Sequence, residues 1–271
     1  MVMSGNKTES SQLAGKVALI TGSSMGIGKT LAAELCKAGA IVMLNGRNSD
    51  RLAAAESELL KRGCRVGACA ADITIYSECE KLISETIRRF GKLDILVNNA
   101  GIVGYGPFEK FDPDQFRKAL DSNIYGAVYP TMASIPHIRQ SSGSIVFISS
   151  LAGLMGLPDY TTYSAGKMAL TALWQSLRAE FEGTGVHFGI VYVGFTRNEE
   201  GKRFLSTDGS SVPVPQRKKS LQWPREKVAH AIMNLIRKRR PRVILSPFGK
   251  LTAVTIRFLP FIARKIVARN R

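Results

Sequence analysis

Seven apolar runs of strand length divide the chain, and none of them alternates. They are KVALIT (16–21), AIVMLN (40–45), RVGACA (65–70), LDILVN (93–98), SIVFIS (144–149), HFGIVYV (187–193) and RVILS (242–246). A strand with one face in water alternates apolar and polar side chains, so runs that are apolar nearly throughout belong to strands covered on both faces. Between them lie amphipathic segments of helical period, among them GKTLAAELCKAG, SDRLAAAESELLKRG and YSECEKLISETIRRFG, several closing on glycine as helices often do. This alternation predicts an α/β chain: a single doubly wound Rossmann-like domain, a seven-stranded parallel sheet with helices on both faces. At 271 residues and 45% hydrophobic content the chain has the core such a domain needs. There is no Pro/Ser-rich linker and no internal repeat. The boundaries read as a polar N-terminal tail (1–13), the α/β domain (14–247) and a basic amphipathic C-terminal helical segment (248–271). Residues 197–224 have no clean period and are rich in polar residues, Gly and Pro, as expected of a functional lid or a poorly ordered loop.

The first strand runs into TGSSMGIG (21–28). Gly22, Gly26 and Gly28 allow a tight turn that brings backbone N–H groups against a phosphate, and the next helix aims its positive N-terminus at the same place. Ser24 and Ile27 fall inside this cofactor-binding loop. A plain tight turn would use the same glycines, but their position between first strand and first helix favours a nucleotide. The second strand ends in LNGRN. NAD-preferring dinucleotide folds carry a carboxylate near this point for the ribose 2′-OH. Here Gly46 stands instead, followed by Arg47, whose guanidinium suits a 2′-phosphate unless it simply begins the next helix in solvent. Lost acid and gained base both point to NADP(H) in preference to NAD(H).

Five motifs in order resemble the short-chain dehydrogenase/reductase family, from about Gly15 to about Pro247. They are TGSSMGIG (family type TGxxxGIG), NNAG at 98–101, Asn123 in LDSNIYG, the serines at 149–150, and Tyr163 with Lys167 as the YxxxK pair. The resemblance implies an NAD(P)-dependent oxidoreductase, a carbonyl reductase or the reverse alcohol dehydrogenase. It implies that Asn99 and Gly101 shape the adenine and ribose end of the pocket, and that Asp72, in AADI, contacts adenine. A helix N-cap is the other reading of Asp72. It further implies that Asn123 holds a relay water, that Tyr163 and Lys167 also meet the nicotinamide ribose, and that Gly194 and Thr196 line the nicotinamide end. The chain departs from the family at Gly166, where serine is usual, and in VGFTRN, where Val193, Thr196 and Asn198 replace Pro, Val and Thr of PGxVxT.

The residues themselves support the catalytic assignment. A phenol at its ordinary pKa of about 10 exchanges protons slowly near neutrality, and a nearby ammonium lowers that value. Tyr163 and Lys167, four apart on a helix, share a face. Tyr160 is two turns from Lys167, too far to couple, and is expected at the substrate edge of the pocket. Ser150 ends a central strand and faces the crevice where open α/β sheets bind ligands, while Ser149 points the other way. The expected catalytic set is Asn123, Ser150, Tyr163 and Lys167, with Ser150, Tyr160 and Tyr163 meeting substrate. Phe204, Leu205, Val212, Val214 and Trp223, among basic residues in the 197–224 loop, suit an apolar substrate: a steroid, a keto-lipid or a 3-oxoacyl thioester. The reading from another class is a nucleotide-sensing or scaffold protein on the same fold without turnover.

Net charge is +17, and residues 217–271 hold 16 Lys/Arg against the single acid Glu226, so the rest of the chain is near neutral. A basic end on a neutral body predicts an anionic partner, a membrane surface or an acidic carrier protein, rather than nucleic acid, for which no motif is present; an ordinary C-terminal helix packed on the domain or a sister subunit, its charged face in water, is the other reading. Lys250, Arg257, Arg264 and Arg271 recur every seven residues, among Leu251, Val254, Phe258, Phe261, Ile262 and Ile266, with Lys265 and Arg269 alongside. The cations interrupt every apolar run, so no spanning helix is expected, and Pro260 should kink the segment. Four cysteines without CxxC or histidine partners predict no metal site and a reducing compartment, and the polar N-terminus lacks a secretory h-region. The expectation is a cytoplasmic homodimer or homotetramer with a peripheral membrane contact.

Overall fold

The computed structural model describes residues 12–197, 201–214, 222–259 and 261. Asn198, Pro260, Ile262, Arg264, Lys265, Ile266, Arg269 and Arg271 lie outside the described residues, as does most of the 1–13 tail. The strands are β1 (Val17–Ile20), β2 (Ile41–Gly46), β3 (Val66–Ala70), β4 (Ile95–Asn98), β5 (Ser144–Ser150), β6 (His187–Val193), β7 (Arg203–Leu205), β8 (Ser211–Pro213) and β9 (Arg242–Ile244). The helices are α1 (Gly26–Lys37), α2 (Ser49–Lys61), α3 (Tyr76–Phe90), α4 (Pro113–Asn123), α5 (Tyr125–Gln140), α6 (Thr161–Glu180), α7 (Arg225–Arg237) and α8 (Pro247–Phe258).

The seven apolar runs form one sheet in the order β3-β2-β1-β4-β5-β6-β9, every pair parallel. Adjacent residues of each run feed opposite cores. Ile20, Leu44, Val97, Val146 and Val191 pack with Leu31, Leu35, Leu59 and Ile232 of α1, α2 and α7. Leu19, Met43, Leu96, Phe147 and Ile190 pack with Leu82, Ile138, Leu170 and Trp174 of α3, α5 and α6. The sheet is thus buried on both faces, which is why the runs do not alternate. Strand order reverses between β1 and β4, and a crevice outside the carboxyl ends follows at such a switch point.

Within the 197–224 segment, the described residues include regular structure. β7 and β8 pair antiparallel, and Leu205 is bridged to Gly104 through hydrogen bonds from Leu205 N to Val103 O and from Tyr105 N to Leu205 O. Three-residue strands are too short to leave a readable period. The amino-terminal end of the sheet is held by Asp94, buried at 2% exposure. Its carboxylate accepts from Val17 N at 2.9 Å and pairs with Lys16 at 2.8 Å and Lys92 at 3.1 Å. Burial alone would raise its pKa, but Lys16, the Val17 amide and Lys92 outweigh it and hold the carboxyl below the ordinary range.

Because the folded-state pKa is lowered, this contribution is present above the unfolded value of about 3.9 and is lost as pH falls through the folded one. Asp94→Asn is therefore expected to cost about 1–3 kcal/mol at neutral pH, since both lysines stay partly solvated. Denaturant melts at pH 7 and pH 3 should show the difference between variant and wild type shrinking in acid.

Candidate active site

The glycine loop is built for close approach. Gly22 and Gly26 have φ of +61° and +62°, and a Cβ on Gly22 would come within 2.9 Å of Ala100. Gly28 admits no side chain either, because a Cβ there would meet Asn99 Nδ2 and Gly22 O at 2.6 Å. Asn99 donates from Nδ2 to Thr21 O and Gly22 O, and Thr21 Oγ1 accepts from the amides of Asn99 and Ala100. Asn99 therefore fixes the shape of the loop. Thr21 was not a sequence candidate; its place at the head of TGSS was the available signal. Ile27 packs its partly buried side chain against the core.

At the far rim, Ser24 Oγ would lie 3.2 Å from a Cβ on Gly46. Arg47 follows, 3.5 Å from Asp72 Oδ2, with its side chain 54% exposed. An ion pair so exposed contributes little, so the guanidinium remains available to a stronger anion. Asp72 accepts from Thr74 N at 3.0 Å and Thr74 Oγ1 at 2.7 Å. The N-cap of α3 is Ile75, so the N-cap reading of Asp72 is corrected: it closes a turn three residues earlier. Burial raises its pKa, but the Thr74 bonds and Arg47 outweigh burial and leave it lowered.

The four catalytic candidates gather at the carboxyl ends of β4 and β5. Lys167, 4% exposed, donates from Nζ to Ile148 O at 3.0 Å and lies 5.7 Å from the Tyr163 ring centre. Burial, and secondarily the cation of Lys202, brings its ammonium down to about 8. Lys202 was missed by the sequence reading, since a lone lysine in an aperiodic loop carries no signal. Asn123 donates from Nδ2 to Ile102 O and Ala119 O, which orients the amide and leaves the buried Oδ1 without a partner among the described residues. A methyl on Gly101 would lie 2.6 Å from that Oδ1 and 3.2 Å from Lys167 Nζ, so the two atoms converge on one place. Ser150 Oγ accepts from Ala152 N at 3.2 Å, leaving its O–H to donate. Ser149 Oγ turns away and donates to Lys167 O.

Gly166 now has a reason. A Cβ there would come within 2.6 Å of Asn123 Cβ, so the missing side chain lets α6 close on the end of α4. Tyr160, the candidate for the substrate edge, joins Tyr105 and Phe204 in a ring cluster with centres 5.0, 6.2 and 6.3 Å apart. Past β6, Thr196 is bridged to Trp223, Trp223 N donates to Phe195 O, and Gly194 stands beside Leu151. Two-residue bridges of this kind leave no sequence pattern.

The short chain dehydrogenase family model matches residues 16–208. Among similar proteins, the Arabidopsis thaliana 11-beta-hydroxysteroid dehydrogenase 1A is 40% identical over 72% of this chain and 57% of its own length. The Sesamum indicum 11-beta-hydroxysteroid dehydrogenase A is 36% identical over 76% of this chain and 62% of its own length, so the match spans under two thirds of either relative. Among solved structures, an alcohol dehydrogenase from Thermococcus sibiricus complexed with 5-hydroxy-NADP superposes with a TM-score of 0.74 at 25% identity, over 85% of this chain and 95% of that one. A metagenomic short-chain oxidoreductase in complex with NADP gives 0.72 at 26% identity, over 87% and 99%. The chain belongs to the short-chain dehydrogenase/reductase family of NAD(P)-dependent oxidoreductases.

Gly166→Ala tests the contact between α6 and α4. Helix propensity alone would stabilise the variant by up to about 1 kcal/mol. The steric conflict with Asn123 is expected to reverse the sign and cost about 1–3 kcal/mol, read as a lower midpoint in denaturant.

Proposed function

We propose that this chain is an NADPH-dependent carbonyl reductase, working equally as the reverse alcohol dehydrogenase, on an apolar ketone such as a steroid, keto-lipid or 3-oxoacyl thioester. The observation that carries the reading is the convergence of Lys167 Nζ and Asn123 Oδ1, which has no partner among the described residues, behind Gly101, with the Tyr163 ring 5.7 Å from the ammonium and Ser150 at the end of β5. The left-handed Gly22 and Gly26 and the close-packed Gly28 fit a nucleotide diphosphate, and Ser24, Arg47 and Asp72 fit its adenosine end. NADPH, when bound, supplies the hydride.

The protein's own groups do the rest. Ser150 donates a hydrogen bond that orients the substrate carbonyl oxygen. Tyr163 gives that oxygen its proton as negative charge develops there, worth about 10²–10⁴ in rate for a positioned acid. The Lys167 cation stabilises the phenolate left behind and holds ribose hydroxyls. Asn123 Oδ1 accepts from a water that returns the proton toward Lys167. Gly194 and Thr196 line the nicotinamide end, and Asn99 and Gly101 shape the opposite wall.

NADP preference rests on Arg47 and on Gly46, where a carboxylate would crowd Ser24 and repel a 2′-phosphate. The NADP-type ligands of the two solved relatives support it. An apolar substrate is supported by the Tyr105, Tyr160 and Phe204 rings and by the hydroxysteroid dehydrogenase names of the relatives. Exposed Tyr125, Met132 and Met168 on α5 and α6 support a homodimer or homotetramer, which sedimentation equilibrium would show as a multiple of 29.6 kDa. The basic C-terminal fifth supports an anionic partner.

One assay tests the core of the reading: NADPH oxidation with a panel of apolar ketones. Wild type should turn over, and Tyr163→Phe should lose at least about 10²-fold in kcat while binding NADPH nearly as well. Tight NADPH binding with no turnover by wild type would instead support the non-catalytic reading. Arg47→Gln should weaken NADPH about 10- to 100-fold, the worth of a charge-assisted bidentate contact, and leave NADH unchanged. Equal losses for both cofactors would remove the NADP assignment.

A further inference from the structure

α8 begins on the catalytic rim. Its N-cap Ser246 accepts from Gly249 N, and Gly249 lies so close to the domain that a Cβ would meet Leu151 Cδ2 at 2.9 Å and Ile244 Cγ2 at 3.3 Å. Leu151 directly follows Ser150, and it also stands against Gly194, 3.8 Å from where a Cβ would be. The helix therefore leaves the sheet beside the mouth of the crevice.

Its two faces differ. Thr252, Ala253, Thr255 and Ile256 are half-buried. Leu251, Val254 and Phe258 are 65%, 54% and 68% exposed, and steps of three and four put them in one stripe. Leu259 and Phe261, just beyond, are 51% and 76% exposed. Five large apolar side chains in one stretch of surface exceed the scattered exposure normal for a protein. Lys250, at the start of this helix, is exposed, and as a sequence the chain after Glu226 is rich in Lys and Arg with no acid.

A partner offering acidic groups alone would engage the cations and leave the exposed leucine, valine and phenylalanine in water, and a second copy of this +17 chain would bury them only by bringing like charges together. A lipid surface engages both, with apolar side chains entering the acyl boundary and cations meeting anionic headgroups. No helix among the described residues is long and apolar enough to cross a membrane, so such a contact lies in the interface. We propose that the outer face of α8 seats the mouth of the crevice on an anionic lipid surface, so that an apolar carbonyl substrate reaches Ser150 and Tyr163 from the bilayer. The second half of this proposal rests on the reductase reading; the first does not.

The full chain, without cofactor or substrate, is sedimented with vesicles of phosphatidylcholine alone or mixed with phosphatidylserine. Wild type should partition onto the mixed vesicles, and raising ionic strength from about 0.1 M to about 1 M, which shortens the Debye length from about 10 to 3 Å, should weaken it. Leu251→Gln/Val254→Gln changes exposed side chains, so its thermal midpoint should match wild type while partitioning falls about 10-fold or more. Tyr163→Phe should partition like wild type, which separates this test from that of the reaction. Wild type left in the supernatant with both vesicles, including the case where it binds an acidic carrier protein instead, would overturn the proposal. So would a double variant that partitions like wild type. For a ketone dissolved in the vesicles, the double variant should show a several-fold higher KM at unchanged kcat; equal KM values would overturn delivery from the bilayer.

Discussion

A lysine ammonium enclosed by protein is unfavourable unless something anionic or strongly polar meets it, and Lys167 is such a group. Its one described hydrogen bond goes to the carbonyl of Ile148. Everything around it is arranged so that further oxygen atoms can approach. Gly153 is pressed against the Lys167 carbonyl, 2.7 Å from where a Cβ would stand, and Ser149 Oγ bonds the same carbonyl, so α6 is fixed against β5. Gly166 lets the start of that helix close on Asn123, and Gly101 clears the space in front of both. Three glycines here have no turn to make. They are small because backbone and functional atoms must come within contact distance, and any of them with a side chain would move the ammonium or its neighbours.

That distinction explains which parts of the molecule were legible in the sequence. The sheet was legible because each residue from Val17 to Thr21 of the run KVALIT has a buried place on one face or the other, so composition alone marks the strand. Tyr163 and Lys167 were legible because helical spacing sets their relation locally. The purpose of Gly166 was not, since it depends on Asn123, more than forty residues away in the chain. Arg47 and Asp72 could each be proposed for the nucleotide, but their pairing across 25 positions belongs to the parallel register of β2 and β3. The β7–β8 hairpin was hidden for another reason. Its strands are three residues long, and its order comes from a bridge to Gly104 and from aromatic contacts with Tyr105 and Tyr160, none of which leaves a periodic trace.

The two ends of the crevice are chemically unlike. At the β2 end the groups are a guanidinium, a hydroxyl and a carboxylate, all near the surface, where a highly charged ligand loses little of its solvation until it docks. At the other end Phe204 of the β7–β8 hairpin meets the rings of Tyr105 and Tyr160. On the proposed function Lys167 and Tyr163 sit between, where a nucleotide would displace water from one side and an apolar substrate from the other. Charge interactions strengthen as water leaves, so the lysine influences the phenol most when both ligands are present.

This ordering bears on why the ammonium is held near 8 rather than in the ordinary lysine range. Burial and the Lys202 cation both act against its charge, so the site without ligands holds its proton loosely. An anionic nucleotide changes the sign of the nearest field and favours the charged form. On the proposed function, the proton-transfer machinery would then be completed by binding instead of being permanently set. Asn123 fits the same logic: its donors are committed to Ile102 and Ala119, and its acceptor is kept buried and open on the side of the ammonium. An acceptor in that position has a use when a proton-bearing oxygen is brought beside Lys167, and the glycines around it keep the space for one.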